Sequence, residues 1–218
     1  GDWFFTLDPD GVDPVLKVHS LGECYRKGNP HYDQRSTVPA IVDVTTGAVV
    51  NNDYHDLTTE LETAWKKYFR PDAPDLYPEA LHDDIDALND IIYADVNLAV
   101  NLAALVTSQK DYEFYYNKVF DRLDWLEKRL SSRRYLFGDT ITDPDIRLYV
   151  TLARFDLVFY QKYYVNKKRL VDYPNLWNYA KDLYSHPAFG KNTDFDSMRK
   201  RFYYVDHTPF EDFPRIVP

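Results

Sequence analysis

The fold class this sequence predicts is a small α/β unit followed by an all-helical region, and three observations carry it. Two short β-branched runs flank a Thr-Thr-Gly turn between residues 38 and 50. A Pro-rich connector runs from Arg70 to Asp75, and beyond Leu76 the apolar residues recur at helical spacing almost throughout. These divide the chain into an N-terminal part, residues 1–70, and a C-terminal part, residues 76–218.

Residues 1–37 are rich in Asp, Gly, Pro and aromatics, with one short helix expected around Leu16 to Arg26 and a turn at Gly28-Asn29-Pro30. Val38 to Val44 reads as a strand, Thr45-Thr46-Gly47 as a tight turn and Ala48-Val49-Val50 as the returning strand, so a β-hairpin is predicted. Asn52 or Asp53 can cap the next helix by accepting its free first-turn amides; Leu57, Leu61, Ala64, Trp65 and Tyr68 give that helix its apolar spacing. It should stop before Pro71.

In the C-terminal part, Ile85, Leu88, Ile91, Ile92, Val96, Ala99 and Val100 trace one helical face, and Phe120, Leu123, Leu126 and Leu130 trace another. Thr142-Asp143-Pro144-Asp145 has the form of a capping box, which should open a third long helix reaching about Tyr164. Tyr173-Pro174 opens a fourth, and His186-Pro187 closes it.

Composition bounds the function. The 218 residues are 44% hydrophobic and 17% aromatic, with 19 Tyr and 13 Phe, enough to fill a core. A chain of this size buries roughly 70% of its extended surface. The net charge of -9, from 26 basic against 35 acidic residues, opposes nucleic-acid or anionic-membrane binding by phosphate neutralisation. No apolar run is long enough to span a bilayer. A single cysteine, Cys24, rules out an internal disulfide and a multi-thiolate metal site and suits a reducing compartment, so a cytoplasmic protein is expected. The start, Gly1-Asp2-Trp3, is neither a signal peptide nor an initiator methionine and reads as the middle of a longer protein.

Chemistry is not legible from motifs alone. There is no phosphate loop, nucleophile elbow or metal-ligand spacing among the six histidines, so no metal is expected. Cys24 lies between Glu23 and Tyr25, neighbours that do not lower a thiol pKa, and reads as unreactive.

A set of segments in order carries a resemblance. They are Arg35-Ser36-Thr37-Val38-Pro39, Val50-Asn51-Asn52, Asp75-Leu76-Tyr77-Pro78, Tyr135-Leu136-Phe137-Gly138-Asp139, Arg154-Phe155-Asp156, Asp172-Tyr173-Pro174-Asn175-Leu176-Trp177 and Arg215-Ile216-Val217-Pro218. Together they resemble the glutathionyl-hydroquinone reductases, the Xi class of the glutathione S-transferase superfamily. The resemblance implies a thioredoxin-like α/β N-terminal domain, partial in this chain, plus the all-α C-terminal domain of glutathione S-transferases with an extended tail. It implies glutathione as co-substrate, a small electrophile or quinol conjugate as partner, and a homodimer.

For glutathione the resemblance points to Trp3, Arg35, Val38, Pro39, Asp53 and Tyr54. Val38 would pair its backbone with the tripeptide beside a cis Pro39, and Arg35 would offer a guanidinium fork to a carboxylate. Where the family has Glu-Ser to hold the γ-glutamyl carboxylate, this chain has Asp53-Tyr54. For the second substrate it points to Phe159, Tyr160, Tyr163, Tyr203 and Tyr204, with Asn101 and Phe159 standing where family members carry tyrosines. The family's nucleophile is a cysteine in a Cys-Pro-Trp-Ala segment, expected upstream of this chain, and Cys24 aligns elsewhere. The expected activity is reduction of glutathionyl-hydroquinones or related electrophiles. From a different class, the departures leave open a non-catalytic module that keeps the fold to bind a ligand or protein.

Overall fold

A computed structural model describes residues 1–203. The chain forms two compact units, Gly1–Ala73 and the residues from Pro74 on.

In the first unit Ser20 and Glu23 form a capping box that opens α1 (Leu21–Gly28). The helix begins later than residue 16 because Lys17 takes a positive φ and the Asp13 carboxylate holds the amides of Val15 and Leu16 in a turn. The hairpin is present as β1 (Ile41–Asp43) and β2 (Ala48–Asn51), antiparallel, with Val42 opposite Val49. β1 is shorter than the predicted strand at both ends. Pro39 has no N–H to give a ladder, and beyond Asp43 its own carboxylate accepts the amides of Thr45 and Thr46, starting the turn. Gly47 closes that turn at φ 68°, a conformation that costs glycine nothing. α1 packs on the hairpin, and Val18, Leu21, Cys24 and Tyr25 form a small core with Val42 and Val49 at its edge.

The next helix is shorter than its sequence pattern. α2 spans Leu57–Thr63 and is followed by a 3-10 turn at Lys66–Tyr68. Leu57 is buried, whereas Leu61, Trp65 and Tyr68 of the same stripe are exposed. Period predicts a face but does not supply a partner for it.

The second unit is helical. α3 (His82–Ile92) runs through a π turn at Tyr93–Asn97 into α4 (Ala99–Leu105). α5 (Gln109–Leu130) is 22 residues, about 33 Å long at 1.5 Å per residue, and packs against α4. α6 (Asp143–Arg154) is widened by a second π turn, Phe155–Phe159, before α7 (Tyr160–Lys162). α8 (Pro174–Ser185) also packs on α5 and is followed by α9 (Pro187–Gly190) and α10 (Phe195–Tyr203). Ile92, Val96, Phe120, Leu123, Leu126, Leu148, Phe155 and Leu176 fill one continuous core. Removing a ring as buried as Phe120 would cost about 3–5 kcal/mol.

Two buried polar sites fix this unit. Arg147 Nε lies 2.7 Å from Asp143 Oδ2, and Asn89 of α3 donates to the same oxygen at 2.8 Å, locking α3 to α6. The predicted capping box at Thr142 forms, with Asp145 accepting the Thr142 N–H at 2.8 Å. The same carboxylate also takes the Thr142 hydroxyl, the Leu136 N–H and the Tyr179 hydroxyl.

Candidate functional site

In the first unit Arg35, Val38 and Pro39 flank Thr37 in the chain, and a hydrogen bond from Asn52 joins Thr37 to the segment that bears Asp53. The Val38–Pro39 peptide is cis, as the resemblance implies. Val38 stands 54% exposed at the entrance to β1, and among the described residues neither its N–H nor its C=O is hydrogen-bonded. A backbone pair in that state can accept an extended peptide as an added strand.

Thr37 is held from two sides. The Tyr25 hydroxyl donates to its carbonyl at 2.9 Å, and Asn52 Nδ2 donates to its hydroxyl at 3.2 Å. Tyr25 stacks on Tyr32 with centroids 4.6 Å apart, and the Tyr32 hydroxyl donates to the Arg35 carbonyl at 2.8 Å. Arg35, Val38 and the turn bearing Asp53 and Tyr54 are thereby tied to one scaffold, with the Arg35 side chain in solvent.

Asp53 has a structural task. Its Oδ1 accepts the N–H groups of His55 at 2.9 Å and Asp56 at 3.4 Å, ahead of α2. These are the amides of the two residues after Tyr54, whereas the resemblance places the γ-glutamyl carboxylate on the hydroxyl and amide of the Glu-Ser pair, positions 53 and 54 here. Tyr54, 48% exposed, projects a phenol where a small hydroxyl is expected. Trp3 is 41% exposed; its carbonyl accepts the Leu21 N–H at 2.9 Å, while Asp2 Oδ1 takes the amides of Trp3 and Gly22. Burial works to raise the Asp2 pKa, but hydrogen bonds from Ser20, Trp3, Ser36 and Gly22 together hold it below the usual carboxylate value. Cys24 is fully buried, and burial pushes its thiol pKa up. Both changes disfavour a thiolate.

In the second unit the residues singled out for the second substrate surround the π turn at Phe155–Phe159. Phe159 lies in the core, edge-on to Phe155 and Phe202 at 6.5 and 6.4 Å, because the extra residue of the π turn carries it inward. Tyr160 and Tyr163 are half-buried, and Tyr163 sits 5.5 Å from the Phe159 ring. The Tyr203 hydroxyl donates to the Leu157 carbonyl at 2.8 Å, and burial raises its pKa, so its proton is engaged internally. Asn101 turns back on its own helix and donates to the Asn97 carbonyl. Tyr204 lies outside the described residues.

The carboxylates that fasten the helices of this unit carry no local sequence motif. Asp156, inside the Arg154-Phe155-Asp156 segment, accepts the amides of Leu170 and Val171. Glu127 of α5 receives the amides of Asn175 and Leu176 at the start of α8. Tyr135 and Gly138 exchange backbone hydrogen bonds, with Gly138 at φ 114°. Much of what made the chain recognisable thus holds helices together. The Pro174-led helix start was the available signal; the carboxylate that receives its first amides, Glu127, lies 48 residues from Asn175 in sequence and left none.

Residues 109–182 match the family of glutathione S-transferase C-terminal domains. The chain is 36% identical over 203 residues to the glutathionyl-hydroquinone reductase YqjG of Escherichia coli, covering 92% of this chain and 62% of that protein. To the glutathionyl-hydroquinone reductase PcpF of Sphingobium chlorophenolicum it is 32% identical over 217 residues, covering 99% of this chain and 68% of that one. Among solved structures, a glutathione transferase of Gordonia bronchialis superposes with a TM-score of 0.90 at 43% identity, covering 99% of this chain and 68% of that one. The glutathione-bound structure of the E. coli protein gives 0.82 at 36% identity, over 88% of this chain and 62% of that one. The chain therefore spans less than two thirds of the E. coli relative. With the cis Val38–Pro39 and the helical second unit already in place, these matches are decisive: the chain belongs to the glutathione transferase superfamily, in the Xi class that includes the glutathionyl-hydroquinone reductases.

Proposed function

We propose that the chain belongs to a thiol-dependent reductase of glutathionyl-hydroquinones, with glutathione bound along Val38. The observation that carries this reading is the exposed, unpaired Val38 backbone beside cis Pro39, in a chain whose relative holds glutathione. Arg35 would meet a terminal carboxylate of the tripeptide, and Trp3 would wall the site.

On this reading a thiolate attacks the glutathionyl sulfur of the conjugate. The carbon–sulfur bond breaks, the ring carbon takes a proton to leave as hydroquinone, and a protein–glutathione disulfide remains. A second glutathione attacks that disulfide, releasing oxidised glutathione and restoring the thiolate. The net change is one conjugate plus one glutathione giving hydroquinone and glutathione disulfide. Cys24, buried with a raised pKa, is not the nucleophile, so the reading assigns that role to a thiol outside these 218 residues. Tyr160 and Tyr163 would shape the quinol side, and the protein would work as a cytoplasmic homodimer.

A second reading is supported by Tyr54, whose exposed phenol stands where the family has the small hydroxyl of its Glu-Ser pair, and by Asn101 and Phe159 at positions where the family has tyrosines. Here the scaffold binds a ligand or protein without turnover. Iodoacetamide labelling of the native full-length protein separates the two. The reductase reading expects one rapidly alkylated thiol, with Cys24 protected until unfolding. If Cys24 is the only thiol found, the binding reading replaces it.

A further inference from the structure

A free backbone N–H binds a tripeptide well only when it is already aimed, and the aim of the Val38 N–H is set by the peptide group that precedes it. The Thr37–Val38 peptide is planar and trans, so its carbonyl and its N–H point to opposite sides. Whatever holds the one holds the other.

The Thr37 carbonyl is held by Tyr25 of α1, whose hydroxyl donates to it at 2.9 Å. Among the described residues that carbonyl has no other partner. Thr37 and Val38 are both exposed, so no packing would stop this peptide from turning if the hydroxyl were absent. Tyr25 itself cannot swing away. It is 6% exposed, sits in the small core with Val18, Leu21 and Cys24, and stacks on Tyr32 at 4.6 Å with the rings 24° apart.

The residues just before are held as well. The Tyr32 hydroxyl donates to the Arg35 carbonyl at 2.8 Å, and the buried Ser36 gives its hydroxyl to the Asp2 carboxylate. The two stacked tyrosines thus grip the carbonyls of residues 35 and 37 from one side and leave the Val38 N–H facing the other. A phenylalanine would fill the same space in this core, and burying a hydroxyl costs free energy unless it is hydrogen-bonded. The hydroxyl of Tyr25 therefore serves the loop and not the packing.

We propose that Tyr25 is a positioning residue for the thiol peptide: by fixing the Thr37 carbonyl it presents the Val38 N–H to the bound tripeptide, and Tyr32 braces it. This role rests on the reading that glutathione lies along Val38.

The full-length protein and its Tyr25→Phe variant are titrated with S-methylglutathione, whose blocked sulfur cannot react, by isothermal titration calorimetry. Amide hydrogen exchange is followed with and without it. In the wild type, saturating ligand should slow exchange at the Val38 amide about 10-fold or more. Tyr25→Phe keeps the ring stack and loses only the hydroxyl, and it should raise the Kd about 3- to 10-fold. With a glutathionyl-hydroquinone as substrate its KM should rise by the same factor while kcat stays within about 2-fold. The Asn29 amide, which donates to the Tyr25 carbonyl at 2.9 Å, should exchange as in the wild type, which a loosened α1 would not allow. Tyr32→Phe keeps the stack and frees the Arg35 carbonyl, and should raise the Kd about 2- to 3-fold. It decides the matter if Tyr25→Phe fails to fold, an unchanged Kd then counting against the clamp. No protection of Val38 in the wild type overturns the glutathione reading and this role with it. Protection of Val38 with an unchanged Kd in Tyr25→Phe, with a lower kcat at unchanged KM, or with faster exchange at Asn29, overturns the role of Tyr25 alone.

Discussion

Asp145→Ala tests how the helical unit is held, and its cost can be worked from the structure. The carboxylate is fully buried and accepts four hydrogen bonds: from Leu136 N at 3.0 Å, Thr142 N at 2.8 Å, Thr142 Oγ1 at 3.0 Å and Tyr179 Oη at 2.8 Å. Leu136, Thr142 and Tyr179 are themselves buried, so alanine leaves their donors without water or protein partners. Each orphaned donor costs about 1–3 kcal/mol. Part is recovered, because burial raises the Asp145 pKa and removing the group removes that desolvation penalty. A net loss of about 3–5 kcal/mol follows, a large share of the roughly 5–15 kcal/mol that holds a domain folded. In urea, at a slope of about 2 kcal/mol per M, the midpoint should fall by about 1.5–2.5 M. Tyr179→Phe alone should cost about 1 kcal/mol, and close to nothing when added to Asp145→Ala. A shift of less than about 0.5 kcal/mol for Asp145→Ala, or full additivity of the pair, would refute the reasoning.

Three further outcomes are expected. Tyr54→Ser should lower the KM for glutathione about 3- to 10-fold by clearing the phenol and supplying a small hydroxyl; steady-state kinetics showing an unchanged or higher KM would count against that pocket. Gly22→Ala would place a Cβ 2.3 Å from Asp2 Oδ2, displacing the carboxylate that ties the Trp3 segment to α1. Better helix propensity offsets part of the cost, so the readout is faster hydrogen exchange at the Leu21 amide, which donates to the Trp3 carbonyl. Burial pushes the Tyr112 pKa up to about 12. Its contribution is therefore complete below pH 10 and is lost as pH rises towards 12, while the unfolded chain ionises first. Tyr112→Phe should be less sensitive to alkali over that window in thermal melts.

How much could be read beforehand depended on the range of each signal. The faces Ile85–Val100 and Phe120–Leu130 were legible because helical period is local, and so was the capping box, whose partners are three residues apart. The breaks at Tyr93–Asn97 and Phe155–Phe159 were not, since a π turn inserts a residue without changing composition. The α2 stripe shows the opposite failure: Leu61, Trp65 and Tyr68 have the right spacing yet are exposed in the first unit. At the candidate site, Val38–Pro39 was visible as a dipeptide, but the hold on Thr37 joins residues 12 and 15 apart through single hydrogen bonds. The neighbours of Cys24 already mark it as inert, and burial supplies the stronger reason.

The central claim is tested most directly by giving the full-length protein a glutathionyl-hydroquinone with glutathione and following both products by chromatography. The account predicts hydroquinone and glutathione disulfide in equal amounts, with Arg35→Ala raising the glutathione KM about 10-fold at little cost in kcat. A folded protein that forms neither product would contradict it.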